Sequence, residues 1–252
     1  MKQRIFTAAV VVIGNEILSG RTQDTNLRDI ALTLGGWGIR VMEARFISDV
    51  EDTIVSVVNE VRARHDYVLT TGGIGPTHDD ITAASIAKAF AVELIEHPEI
   101  AAMIRRRPSP PDIMASRLRM AMVPQGAGLI DNSTGGPPGF CIGNVYVLAG
   151  VPAVMRAMLT SLQSKLTGGA VVQSRSVTTY LAESVIAESL RLLQADYPDV
   201  EIGSYPFTQE GRYGTTLVMR GVDAKLLDAV DAKIRAMIVQ AGSTPIAESP
   251  NG

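Results

Sequence analysis

A chain of 252 residues with 46% apolar and 19% charged residues can bury a sizeable core, and this balance excludes the disordered class. The net charge of −3 argues against nonspecific nucleic-acid binding, and no apolar run is long enough to span a bilayer. One cysteine, Cys141, excludes an internal disulfide framework and a multi-cysteine zinc site and suits a reducing cytoplasm. With no histidine near it in sequence, Cys141 reads as buried rather than nucleophilic.

Met1 to Arg4, followed by apolar residues 5–13, has the outline of a signal peptide but lacks a cleavage site. Residues 5–13 are apolar almost without alternation, which predicts a strand covered on both faces and ended by Gly14-Asn15-Glu16. Leu27, Ile30, Ala31 and Leu34 share one helix face, and Gly35-Gly36 ends that helix. A strand over 39–47 ends at Ser48-Asp49, and Ile54, Val57, Val58 and Val61 make the next helical stripe. A short third strand, 67–69, follows. This alternation predicts right-handed βαβ units and a parallel sheet with helices on both faces, whose ligands bind outside the carboxyl ends of the strands.

At the end of the third strand stands Thr70-Thr71-Gly72-Gly73-Ile74-Gly75-Pro76-Thr77-His78-Asp79-Asp80-Ile81-Thr82. Three glycines in four positions allow positive φ and close approach to a ligand, and Thr77 or Asp79 is placed to cap the following helix. The lysine of the common phosphate loop is missing, and Asp79 and Asp80 would repel a bare phosphate. A divalent cation such as Mg²⁺ between carboxylate and phosphate would remove that conflict. The competing reading is an ordinary glycine turn with ordinary helix-start acids.

Further on, Arg105 to Arg107 and Pro108 to Pro111 make a solvated loop or an arm over a phosphate. His65, His78 and His97 are too scattered for a local zinc motif. The chain turns strand-like from Met120, then enters the rigid, turn-rich 132–140 loop, a strand over 145–148 and Gly150-Val151-Pro152. A helix carries Met155, Met158, Leu159, Leu162 and Leu166. Gly168-Gly169 reads as a helix stop and a hinge. The domains expected are 1–168, a small α+β domain over 169–241 (strand, helix, two strands, helix), and a flexible tail over 242–252.

Three stretches resemble the MoaB/Mog, or molybdopterin-binding, family, most closely its branch typified by the N-terminal domain of competence/damage-inducible protein A (CinA). They are Ile13 to Gly20 with Asp24 and Asn26, Thr71 to Thr82, and Gly135 to Phe140 with Gly150-Val151-Pro152. The Gly-Pro-Thr-His-Asp-Asp form also looks like the molybdopterin-binding-like domain of FAD synthase. The deamidase domain of full-length CinA has no counterpart in this chain. Departures from the family pattern are Gly136-Pro137 in the 135–139 loop, Ala149 where a proline is usual, and Val154 where a glutamate is usual.

The resemblance implies a three-layer α/β/α sandwich with a mostly parallel sheet, a homo-oligomer (dimer or trimer), and a pocket for a small-molecule pterin or nucleotide. Molybdopterin is the possible ligand, with a divalent metal (Mg, Mn or Co). By position, Asp49 and Asp80 match the family's acidic pair, with Glu16 as a third metal ligand. Ligand and phosphate contacts fall on Gly14, Asn15, Glu16 and Asn26; on Thr71, Gly72, Gly73, Gly75, Pro76, Thr77, His78 and Asp79; and on Gly135, Pro138, Gly139, Gly150 and Pro152. The activity implied is metal-dependent hydrolysis of a nucleotide pyrophosphate such as ADP-ribose, with binding without turnover as the alternative.

Overall fold

A computed structural model describes residues 4–209 and 211–246, and the chain divides after Ala170 into two compact units. In the first unit β1 (Phe6–Ile13) is followed by the single helical turn α1 (Asn15–Leu18), α2 (Asn26–Gly36), β2 (Ile39–Ile47), α3 (Glu51–Arg64), β3 (Tyr67–Thr71) and α4 (Thr82–Ala89). Next come β4 (Leu94–Glu96), α5 (Pro98–Arg105), α6 (Pro111–Leu118), β5 (Met122–Pro124), β6 (Gly128–Ile130), β7 (Gly139–Ile142), β8 (Val145–Leu148) and α7 (Pro152–Ser161).

The main sheet has the order β2-β1-β3-β8-β7-β6. Its first four strands are parallel, and β7 and β6 add an antiparallel edge. The unbroken apolar run of β1 is explained by its two buried faces. Ala9, Val11 and Ile13 pack with Ile54, Val58 and Val61 of α3 and with Ile86 of α4. Ala8, Val10 and Val12 pack on the other side with Ile30 and Leu34 of α2 and with Met155, Met158 and Leu159 of α7. Each of the buried Val, Ile, Leu and Met side chains among these contributes about 1.5–3 kcal/mol of burial free energy, so β1 is the keel of a three-layer sandwich.

The strand-like stretch expected from Met120 is present as Met122–Pro124, paired antiparallel with β4 in a separate two-stranded sheet, whereas other expectations change. The helix expected to reach Leu166 stops at Ser161, and Leu162 and Leu166 stay buried from the turns that follow. Gly168-Gly169 is a close crossing rather than a hinge: a Cβ on Gly168 would stand 1.6 Å from the Trp37 carbonyl oxygen, and Gly169 N–H donates to the Gly38 carbonyl at 3.0 Å.

The second unit runs β9 (Gln173–Thr179), α8 (Glu183–Asp196), β10 (Glu201–Gln209), β11 (Arg212–Gly221) and α9 (Ala224–Gln240), with an antiparallel sheet of order β10-β11-β9. Its own core joins Val177, Leu217 and Met219 to Ile186, Leu227, Val230 and Ile234. The start of the expected flexible tail is ordered: Ile246 and Thr178 exchange backbone hydrogen bonds of 2.7 and 3.0 Å. The rest of that tail, 247–252, and the first residues of the signal-like start, 1–3, lie outside the described residues.

Candidate functional site

Parallel pairing sets Ile13 beside Ile47, Val12 beside Thr71, and Thr71 beside Leu148. The residues that follow these strand ends, Gly14, Asp49, Gly72 and Gly150, therefore share one edge of the sheet. Hydrogen bonds tie them together. Gly14 N–H donates to the Ile47 carbonyl at 3.1 Å, Asn15 N–H to the Asp49 carboxylate at 2.9 Å, and Gly72 N–H to the Leu148 carbonyl at 3.3 Å. Buried Asn26 reaches from the start of α2 and donates through Nδ2 to Thr71 Oγ1 at 2.9 Å and to the Gly150 carbonyl at 2.7 Å. The Thr71 hydroxyl in turn donates a hydrogen bond to the Ala149 carbonyl at 2.8 Å.

Glycine is required where β3 ends. Gly72 (φ 103°) and Gly73 (φ 68°) take the left-handed region, and a Cβ there would stand 2.1 Å from the Ile13 carbonyl oxygen and 2.1 Å from Thr82 Oγ1 respectively. Gly75 does not need positive φ; the Asp80 carboxylate covers it instead, 2.7 Å from its would-be Cβ. Thr82 closes the loop, its hydroxyl donating to the Gly72 carbonyl at 3.0 Å and its N–H to the Gly73 carbonyl at 3.0 Å.

Two expectations about this loop change. Neither Thr77 nor Asp79 caps α4, which begins at Thr82 without a side-chain cap. The backbone cradle is partly filled by the protein's own anion: Asp80 accepts from Gly75 N–H at 2.6 Å, Thr77 N–H at 2.7 Å and the Thr77 hydroxyl. Asp79 and His78 are exposed beside it.

The expected metal trio is not gathered. Among the described residues no group of three or more His, Cys, Asp or Glu side chains is placed to hold a metal. Glu16 folds back over Gly14, and Asp80 is committed to its loop. Among the described residues Asp49 accepts one hydrogen bond, through Oδ2 from Asn15 N–H, which leaves Oδ1 as the oxygen available to a cation.

Pro138 and buried Phe140 face the glycine loop across a narrow cleft that Gly73, Gly75 and Asp80 line from the other side. Gly139 packs against the Val147 carbonyl, Gly135 turns at φ 80° in open space, and Pro152 starts α7. Pro76 lies exposed in the glycine loop. Asn132 braces the 132–137 turn through the Pro137 carbonyl and Thr134. Arg119 also lines the cleft and donates to the His78 carbonyl at 3.5 Å. Arg119 was not marked by sequence spacing, and Thr82 was marked only as the end of the motif; the closure of the loop brings both in.

Cys141 is half-buried on β7 and burial pushes its thiol up, so it is no ready nucleophile. Arg105 pairs with Glu96 at 2.8 Å. A wider, open groove of about 510 Å³ on the second unit, bounded by Glu183, Arg191, Gln194 and Ser204, carries none of the glycine or acid motifs. Among the described residues no helix is long and apolar enough to cross a membrane.

A mostly parallel sheet with a glycine loop, a buried asparagine and an acid at its carboxyl edge defines a small-molecule-binding α/β domain. Residues 9–168 match the family model described as "Probable molybdopterin binding domain", and residues 171–245 match "FAD synthase, middle domain". The chain belongs to the molybdopterin-binding-domain family. A CinA-like protein of Desulfosudis oleivorans is 35% identical over 212 residues, 78% of this chain and 51% of that protein. This chain thus spans about half the length of that relative. A protein of Archaeoglobus fulgidus is 34% identical over 197 residues, 78% of this chain and 84% of its own. The crystal structure of the CinA protein of unknown function from Thermoplasma acidophilum superposes with a TM-score of 0.59 at 34% identity, over 63% of this chain and 96% of that one.

Proposed function

We propose that the first unit binds a phosphate-bearing pterin or nucleotide at the carboxyl edge of its sheet. We propose further that it hydrolyses a nucleotide pyrophosphate such as ADP-ribose, water cleaving the P–O–P bridge to give AMP and a sugar phosphate. The binding part is carried by one observation: the ends of four parallel strands in register place Gly14, Asp49, Gly72 and Gly150 along one edge, where such folds take ligands. Family membership supports a pterin or nucleotide as the occupant.

A divalent cation (Mg²⁺, Mn²⁺ or Co²⁺), when bound, supplies charge neutralisation on the phosphates and an acidified water. Asp49 is the residue to hold it, oriented by the Asn15 N–H. Gly72 and Gly73 let the backbone approach the ligand, and the Asn26–Thr71–Gly150 hydrogen bonds keep the edge from shifting. A second reading, binding without turnover, is favoured by the commitment of both Asp80 oxygens to the loop. Homo-oligomerisation as a dimer or trimer is part of the proposal and is read by light scattering.

The test is to incubate the protein with ADP-ribose, FAD, NAD and ATP with each cation and follow AMP by chromatography, with calorimetry for binding. Cation-dependent AMP that falls at least ~100-fold in Asp49→Asn, about 2.7 kcal/mol in the barrier, is the expected result. Binding without AMP leaves the second reading, and neither binding nor AMP overturns both.

A further inference from the structure

An anion entering beside the glycine loop meets an unusual difficulty. Two of the loop N–H groups that would hold it, those of Gly75 and Thr77, already donate to Asp80. Asp79 and Asp80 add two negative charges at the same place. Two unit charges of like sign about 4 Å apart near a protein surface repel by roughly 4 kcal/mol, so a phosphate needs a positive partner from outside the loop.

Among the described residues that line the cleft, Arg119 is the one cation. It stands in the short turn Arg119–Ala121 between α6 and β5, next to Met120, which packs on the core beside buried Ala121. The backbone is thereby fixed while the guanidinium is exposed. Its hydrogen bond is a single long donation, 3.5 Å to the His78 carbonyl, and its charge also acts on the neighbouring Asp79 carboxylate. Three arginines elsewhere in the unit are held in tight ion pairs: Arg45 with Glu43 and Glu60, Arg64 with Glu43, and Arg156 with Asp29 at 2.9 Å. A guanidinium left with its fork of donors uncommitted beside an acidic loop is matched to a phosphate, which it can grip with two parallel N–H bonds.

We infer that Arg119 recognises the phosphate of the ligand and so determines the preference of this site for phosphorylated over unphosphorylated pterins and nucleosides. This deepens the function proposed above and rests on it. The cleft itself holds only about 20 Å³, so the Asp80-filled loop serves as a rigid wall and the anion lies at the mouth of the cleft, where the exposed Arg119 stands.

Calorimetry on the full chain with Mg²⁺ present tests the assignment with two matched pairs, AMP against adenosine and a phosphorylated pterin against the same pterin without its phosphate. Arg119→Ala is expected to weaken the phosphorylated member of the pair that binds at least ~10-fold and to leave the unphosphorylated member unchanged. Arg119→Lys should recover part of the loss, and Arg106→Ala, an equal loss of charge on the exposed end of α5, should change neither. Unchanged affinity for the phosphorylated ligand in folded Arg119→Ala overturns the inference, as does an equal loss for both members, which would mark a merely structural role. Wild-type protein that binds no phosphorylated ligand sinks the parent reading and this inference together, whereas wild-type binding that ignores Arg119 sinks this inference alone.

Discussion

Gly73 and Gly135 both have positive φ, yet the sites around them differ. At Gly73 a Cβ would stand 2.1 Å from Thr82 Oγ1, the atom that holds the Gly72 carbonyl; at Gly135 nothing lies within 4 Å. Gly73→Val should therefore cost at least about 2 kcal/mol and displace the loop, while Gly135→Ala should cost about 1 kcal/mol of backbone strain. Thermal melts of the two variants check the order, and equal losses would refute the collision. Asp80 is the second residue with a definite outcome. Asp80→Asn turns an N–H₂ donor toward a nest of donors, so amide hydrogen exchange at Gly75 and Thr77 should quicken at least ~10-fold. Asp79→Asn should leave those two amides as they are.

Between elements, the entry to β1 is clamped to the turn between α3 and β3 by Asp66. Its carboxylate accepts from Thr7 N–H at 2.8 Å, Thr7 Oγ1 at 3.1 Å and Arg4 at 2.6 Å. The Thr7 N–H first, then the Arg4 and Thr7 side chains, hold the Asp66 carboxyl below its usual range against the opposite push of burial. A carboxyl depressed in the folded state adds stability above its unfolded value, about 3.9, and loses it as pH falls through the lower folded value. Asp66→Asn should thus cost about 1–3 kcal/mol at pH 7, and the difference from wild type should shrink below about pH 4. Urea denaturation across that range measures it; a gap independent of pH would mean the carboxylate is not what clamps the strand.

At the scale of the molecule, each unit has its own core: two clusters on the faces of the large sheet, and one joining β9 and β11 to α8 and α9. A chain truncated after Ala170 is expected to fold, keep one cooperative unfolding transition and bind the ligand of the full chain with affinity within ~3-fold, because every residue of the proposed site precedes that point. A folded truncation that loses binding would show that the second unit contributes contacts.

Much of this architecture is local in origin and so legible in the residues. The unbroken apolar run at 6–13 requires two covering layers, the helical stripes supply them, and the Gly72-Gly73 pair announces a turn that no side chain can enter. The placing of Gly14, Asn26, Asp49 and Thr71 at one edge also follows from strand and helix alternation, since parallel strands share their carboxyl ends. What the tertiary structure alone decided is how the polar groups spend themselves. A carboxylate takes the nearest donors that the closed loop presents, so Asp80 turned inward to Gly75 and Thr77 while Asp49 kept an oxygen open. Arg119 reached the cleft, and Gly168-Gly169 became a crossing instead of a hinge, because contacts between residues far apart in sequence form only when the layers pack, and no local pattern records them.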